Sequence, residues 1–323
     1  MSFFPYALTL GVSLLLSFLL PIVLMIWWKK KSQAKISTAL VGALIFVVFV
    51  FGLESICHQF VLKMPFVLTN IWIYVLYGGL AAGLFEETGR FVAFRFLLKK
   101  RTGRETAVMY GIGHGGIEAI LLAGLSCLVN MAALILVMAG SETLLQTVFA
   151  SNIEEMSAAF LVQPAPVYLV TGIERVFAIA LHISLSVLVF RAVRQKKFAY
   201  WLLAVLCHAA VDWIAMLYQT GLLTNIWLLE GLIGLGTVLV ALLAFRSWRA
   251  LGQWEEAAAL EALAGDESFW AQGEDSETPA HTPEEVAAHQ DELAEAAGLT
   301  DADVLADGPA DAANPDQGQK QAD

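Results

Sequence analysis

The chain has 323 residues, 58% hydrophobic and 15% charged, with a mean hydropathy of +0.67. That composition excludes an ordinary soluble domain and points to an integral membrane protein. The formal charge of −11 offers no basis for nucleic-acid binding, and it averages two unlike regions: residues 246–323 carry 19 acids against 3 basic residues, whereas residues 1–245 carry 11 against 16.

The first apolar run, 6–28, has no basic residue before it and no small-residue cleavage pattern after it, and "WWKKK" overlaps its end. It reads as a retained first span rather than a signal peptide. Further runs long enough to cross a bilayer fall at 37–57, 70–98, 107–139, 166–190, 198–219 and 223–245, the fourth long enough to tilt or kink. The expected fold is therefore an all-α polytopic bundle of about seven transmembrane helices. Lys29, Lys30, Lys31 and Lys35 follow the first span, Lys99, Lys100, Arg101 and Arg104 the third, Arg191, Arg194, Lys196 and Lys197 the fifth, and Arg246 and Arg249 the seventh. The alternate connections, 58–69, 140–165 and 220–222, hold only Lys63. The positive-inside rule then orients the chain in the plasma membrane with its N-terminus outside and its C-terminus in the cytoplasm.

The connection 140–165 is the longest between spans, and part of it is expected to form an amphipathic interfacial helix. Beyond the membrane domain, 1–245, the acidic segment 246–323 is rich in Ala, Asp, Glu, Gly and Pro and lacks the apolar density for a core. Disorder is expected there, with a short helix at "WEEAAALEAL" and a solvated tail or cytoplasmic partner-docking segment as its role. Cys57, Cys127 and Cys207 show no CxxC spacing and an odd total, so neither a disulfide framework nor a thiolate metal site is expected.

The informative residues are the ionisable ones inside the spans. Glu86, Glu87 and Arg90 lie in the third, His114 and Glu118 in the fourth, Glu174, Arg175 and His182 in the fifth, and His208 and Asp212 in the sixth. A charge near the bilayer centre costs a few kcal/mol or more, so such residues turn inward and mark a functional site. His114 with Glu118, His208 with Asp212, and Glu86 with Arg90 are each four residues apart, which puts each pair on one helix face. Glu86 is 13 residues from Lys99, His114 10 from Arg104, His182 9 from Arg191 and His208 11 from Lys197. At 1.5 Å per residue all four sit roughly 14 to 20 Å below the cytoplasmic boundary, so four helices deliver polar groups to one level. Adjacent Glu86 and Glu87 point about 100° apart, so one faces the site while the other pairs with Arg90 or a neighbouring helix. Glu86 is the favoured choice for the site. The glycines of "YGIGHGGIEA" are expected to serve close helix packing through Gly111 and Gly115, since no strand precedes them and no Lys-Ser/Thr follows. Glu54 and Glu230, near outer span ends, read as interfacially solvated.

"EETGR" at 86–90, "GHGGIEA" at 113–119, "ERVFAIALH" at 174–182 and "HAAVD" at 208–212, in this order on successive helices, resemble the YhfC family of intramembrane metalloproteases. The pattern is similar, more distantly, to the PrsW proteases and to the CPBP group of CAAX prenyl endopeptidases and bacteriocin-processing enzymes. The likeness covers residues 70–215. It implies an EExxR signature on Glu86, Glu87 and Arg90, with the first glutamate activating the attacking water. His114 stands where the FxxxE motif has Phe, and Glu118 matches its glutamate. The later histidine and the HxxxD motif fall on His182, and on His208 with Asp212.

On that footing a divalent metal such as Zn2+, held by His114, His182 and His208 with Asp212 or Glu118 completing the set, would lower the pKa of its water and polarise a peptide carbonyl. Glu86 would serve as general base, with Glu118 and the Glu87–Arg90 pair in support. A metal-free version has Glu86 take the proton while the histidines and Asp212 stabilise the oxyanion. The substrate would be a membrane-embedded or membrane-proximal peptide or protein. A proton- or ion-coupled transporter is the alternative from another class.

Overall fold

The computed structural model describes residues 2–271, and every regular element among them is helical. In chain order these are α1, Phe4–Ser32; α2, Ile36–Val61; the short α3, Pro65–Thr69; and α4, Ile71–Val92, extended by a π-helical turn at Ala93–Leu97. Then come α5, Glu105–Met138; α6, Glu142–Phe149; α7, Ile153–Leu161; α8, Ala165–Arg194; α9, Ala199–Gln219; and α10, Ile226–Ala271.

Six of these, α1, α2, α5, α8, α9 and α10, are long and apolar enough to cross a membrane on length and composition alone. The seventh expected span is α4. It falls outside that set because Glu86, Glu87, Arg90 and Arg95 interrupt its apolar run, and it buries the first three of them. The chain is thus a polytopic all-α membrane protein in which α4 turns its charged residues into the bundle and its Trp72, Leu76 and Leu84 outward. Leu40, Leu44, Leu128, Leu239 and Phe245 stand on the outside of the bundle, while Glu87, Arg90 and His114 are wholly inside. This inversion of the soluble pattern is what a lipid surround selects.

Local sequence sets the helix ends. Asn70 caps α4 by accepting from the backbone N–H groups of Trp72 and Ile73 at 3.0 and 3.2 Å. Asn152 and Glu155 form a capping box on α7. Gln33, with φ 57°, closes α1 in the left-handed conformation just after Lys29, Lys30 and Lys31, whose charges suit a helix C-terminus. The expected interfacial helix in 140–165 is two short amphipathic ones, each turning one residue inward, Leu145 on α6 and Phe160 on α7. At the basic span ends Trp28 donates to the Glu105 carbonyl at 3.0 Å, and the Arg104 guanidinium lies 4.8 Å from the Trp248 ring.

The compact membrane unit ends at Leu251. The segment "WEEAAALEAL" lies within α10, which runs on through residues where disorder was expected; its Ala, Glu and Leu are strong helix formers. The rest of the acidic tail, 272–323, lies outside the described residues.

Lipid tails are as apolar as leucine, so helices in a membrane associate through close packing rather than through water release. Small residues make that contact here. A Cβ on Gly111 would come 2.5 Å from Ile183 Cα, and one on Gly115 3.1 Å from Ile179 Cα, so the two glycines seat α5 on α8 as expected. On the opposite face of α5, a Cβ on Gly113 would lie 2.0 Å from the Ala39 carbonyl oxygen, and one on Gly42 2.4 Å from that of Tyr110, which locks α2 to α5. Gly79 and Gly83 bring α4 against the backbone of Ala209 and Val205 on α9.

Gly113→Ala should therefore force α2 and α5 apart and cost ~1–3 kcal/mol, the usual scale of overpacking. Gly52→Ala, where a Cβ meets nothing within 4 Å, should be neutral or gain up to ~1 kcal/mol from helix propensity. Thermal unfolding of the two variants in detergent checks this; equal midpoints would disprove the close-packing role of Gly113.

Candidate active site

The site is built around Arg90, which has no exposed surface. Arg90 and Glu87 lie three residues apart on α4, so their side chains meet on one helix face. One guanidinium nitrogen, NH1, donates to both oxygens of Glu87 at 2.8 and 3.0 Å. The other, NH2, lies 2.9 Å from His182 Nδ1 on α8. Guanidinium only donates, so Nδ1 accepts and the His182 proton sits on Nε2.

Glu87 is spent on structure. Its Oε1 also lies 2.7 Å from His208 Nδ1 on α9, and an ionised carboxylate only accepts, so Nδ1 carries the proton and the Nε2 lone pair of His208 is left for the other side. Glu86 is turned away from this pair. Its Oε2 lies 2.8 Å from His114 Nε2 on α5, 3.8 Å from His182 Nδ1 and 3.9 Å from Arg90 NH2. The imidazoles of His114 and His182 are 4.9 Å apart at their centroids, and those of His182 and His208 5.4 Å.

Two further carboxylates complete the cluster. Glu118, one turn along α5 from His114, pairs with His182 Nε2 and accepts from Arg175 NH1 at 2.9 Å. Arg175 in turn donates to Glu174 at 2.5 Å. Asp212 has its Oδ2 3.5 Å from His208 Nε2 and, at 31% side-chain exposure, is the most open carboxylate in contact with the histidines. The structure thus joins all eight residues singled out in the sequence, Glu86, Glu87, Arg90, His114, Glu118, His182, His208 and Asp212, into one network across four helices. Arg175 was visible in the sequence as a charge inside a span, but nothing in its spacing linked it to Glu118 on another helix.

Glu86, Glu118, His182, His208 and Asp212 open onto a cavity of about 510 Å³; Glu87, Arg90 and His114 stand behind its wall. Phe46, Val50, Glu54, His58 and Leu62 line it at four-residue intervals along α2, facing Tyr74 and Tyr77 of α4 and Met216 and Gln219 of α9. These are the halves of the spans away from the basic clusters. On the other side Arg90, Tyr110, Phe94 and Phe190 are packed without solvent access. The expected placement, toward the basic side of the midplane, thus coincides with a cavity that leads the opposite way.

Glu86, His182 and His208 each offer a ligand atom, all within 4.8 Å of one another, and this is the group of that kind among the described residues. One carboxylate and two imidazoles suit a divalent ion such as zinc with a coordination position left open. His208 is prepared for it, because a ligating imidazole commonly donates its other N–H to a carboxylate, as Nδ1 does to Glu87. Both His182 nitrogens are engaged, Nδ1 by Arg90 and Nε2 by Glu118, so ligation through Nδ1 would displace Arg90, and ligation through Nε2 would displace Glu118 and, with the proton moved to Nδ1, Arg90 as well. His114, expected as a ligand, lies outside the group and holds Glu86 by Oε2; Asp212 and Glu118 adjoin it.

A family model described as YhfC intramembrane metalloprotease matches residues 16–233. The uncharacterized membrane protein YhfC of Bacillus subtilis (strain 168) is 34% identical over 236 residues, which cover 70% of this chain and 90% of that protein. No solved structure matches the chain. With its ordered motifs gathered into one buried cluster and the family model covering most of the membrane domain, the chain belongs to the YhfC intramembrane metalloprotease family.

Proposed function

We propose that the protein is a peptidase that hydrolyses peptide bonds of membrane-embedded or membrane-proximal substrates, with a divalent metal held by Glu86, His182 and His208. The observation that carries this reading is the approach of three ligand atoms to within 4.8 Å of one another beside a cavity of about 510 Å³. Bound there, the metal would lower the pKa of a water toward 7 and polarise the scissile carbonyl.

The remaining residues have roles that follow from their contacts. Asp212, on the cavity wall beside His208 Nε2, takes the proton of the attacking water on the oxygen turned away from His208. It returns that proton to the amine nitrogen as the carbon–nitrogen bond breaks, so acid and base are one group. Glu87 keeps the His208 proton on Nδ1, and Arg90 holds Glu87 in place by both oxygens. His114 fixes Glu86 by one oxygen. Arg175 holds Glu118 beside His182 and leaves a cation near the oxyanion that forms on the carbonyl. In this division of labour Glu86 is a ligand and Asp212 the base, where the sequence-based expectation has Glu86 as base and Asp212 among the ligands, because a Glu86 oxygen lies within 4.8 Å of ring nitrogens of both His182 and His208.

With basic loops in the cytoplasm, the N-terminus outside and the plasma membrane as host, the cavity opens toward the outer face.

Purified wild type should bind close to one equivalent of zinc and cleave a membrane-peptide library. Glu86→Gln and His208→Ala should lose both metal and cleavage, whereas Asp212→Asn should keep the metal and lose ~10²–10⁴-fold in rate. Elemental analysis beside the cleavage assay separates the roles: a metal-loaded but inactive Glu86→Gln would make Glu86 the base, and undiminished cleavage by it would end the proposal.

Glu87→Gln removes the charge that orients His208 while keeping the side chain's shape. Metal affinity, titrated by calorimetry, should fall ~10–100-fold. An unchanged affinity would contradict the orienting role of Glu87.

A further inference from the structure

The mechanism leaves one buried carboxylate on the cavity wall without a task. Glu54, on α2, is 5% exposed and lines the cavity, and its Oε2 has no hydrogen-bond partner. It is not an interfacially solvated group, as its position near a span end suggested. Its other oxygen is held: His58 Nε2, one turn on, lies 3.4 Å from Oε1, and the Tyr77 hydroxyl on α4 lies 2.7 Å from His58 Nδ1. With an ionised Glu54 as acceptor, His58 carries its proton on Nε2 and the Tyr77 hydroxyl donates to Nδ1. Two helices therefore set the orientation of this carboxylate and leave one oxygen unmatched. A buried acceptor without a donor is costly, and a group arriving in the cavity can supply the donor.

Charge indicates which donor. Among the described residues lining the cavity, the carboxylates of Glu54, Glu86, Glu118, Glu174 and Asp212 face one guanidinium, Arg175. A divalent ion at the reacting end would still leave the wall acidic. Glu54 lies eight residues along α2 from Phe46, whose ring is 5.2 Å from that of His114; across the π-helical Val47–Glu54 that is about two turns, roughly 10 Å, toward the mouth. An extended peptide covers that distance in about three residues.

We infer that Glu54 is a specificity-determining residue that accepts a hydrogen bond from a lysine or arginine side chain of the substrate, within about three residues of the scissile bond on the mouth side. The inference rests on the peptidase reading for the word substrate, and on the cavity alone for the recognition of a cationic peptide.

The test uses the full-length protein, with zinc added, in phosphatidylcholine nanodiscs, whose quaternary ammonium has no N–H to compete. Fluorescent transmembrane peptides carry a single lysine, arginine or norleucine at each of several scanned positions, and binding and cleavage are measured separately. At one position lysine or arginine should tighten Kd about tenfold or more over norleucine, the scale of a charge-assisted hydrogen bond. Glu54→Gln should bring that ratio to about one, and Tyr77→Phe should lower it partway, with thermal unfolding confirming that both variants fold. A ratio near one at every position in the wild type, or a ratio retained in Glu54→Gln, overturns the inference. Preference in binding with no cleavage of any peptide supports the Glu54 subsite and removes the peptidase reading; cleavage without preference removes the subsite alone.

Discussion

A guanidinium with no access to solvent must be neutralised where it sits, and Arg90 is such a group in the middle of a membrane bundle. Its neutralisation by Glu87 is the constraint on which the rest of the site depends. Buried ion pairs add little net stability, because desolvation offsets most of the attraction. What this pair contributes is position. The planar fork donates to Glu87 on its own helix and to His182 on α8, and Glu87 passes the constraint on to His208 on α9. Three helices are thereby held in one rotational setting, since turning any of them would leave a charge or an imidazole unmatched in a medium that offers no water.

Such a network needs backbones close enough for short side chains to meet across helices. Glycines supply that: Gly79 and Gly83 for α4 against α9, Gly111 and Gly115 for α5 against α8, Gly42 and Gly113 for α2 against α5. In each case a Cβ would run into the backbone or side chain of the neighbouring helix. Two π-helical turns, Val47–Glu54 in α2 and Ala119–Gly124 in α5, end on Glu54 and follow Glu118, in keeping with the tendency of such turns to occur beside functional residues.

The cluster is two-sided. Behind the wall and without solvent, Arg90 and Glu87 pair with each other and His114 holds Glu86; in front, Glu86, His182, His208 and Asp212 meet the cavity. Groups that hold are thus separated from groups that face the cavity, a division that fixes the orientation of the cavity-facing side chains whatever occupies the space in front of them. The one-sided access also means that whatever reaches the cluster from the mouth passes Glu54, His58 and Tyr77.

By itself the sequence determined the class of protein, six of the seven expected spans on length and apolarity, the alternation of basic loops and, through depth and four-residue spacing, which ionisable residues share one level. Those properties depend on hydropathy and helix pitch, which are local. The pairing was decided by the tertiary structure alone: that Glu87 joins Arg90 to His208, that His114 holds Glu86 instead of standing among the three candidate ligands, that Arg175 reaches Glu118, and that the cavity runs away from the basic side. Helix pitch sets where a side chain lies along and around its own axis, but its partner depends on how neighbouring helices are rotated and how closely glycine lets them approach, and that is a property of the packed bundle.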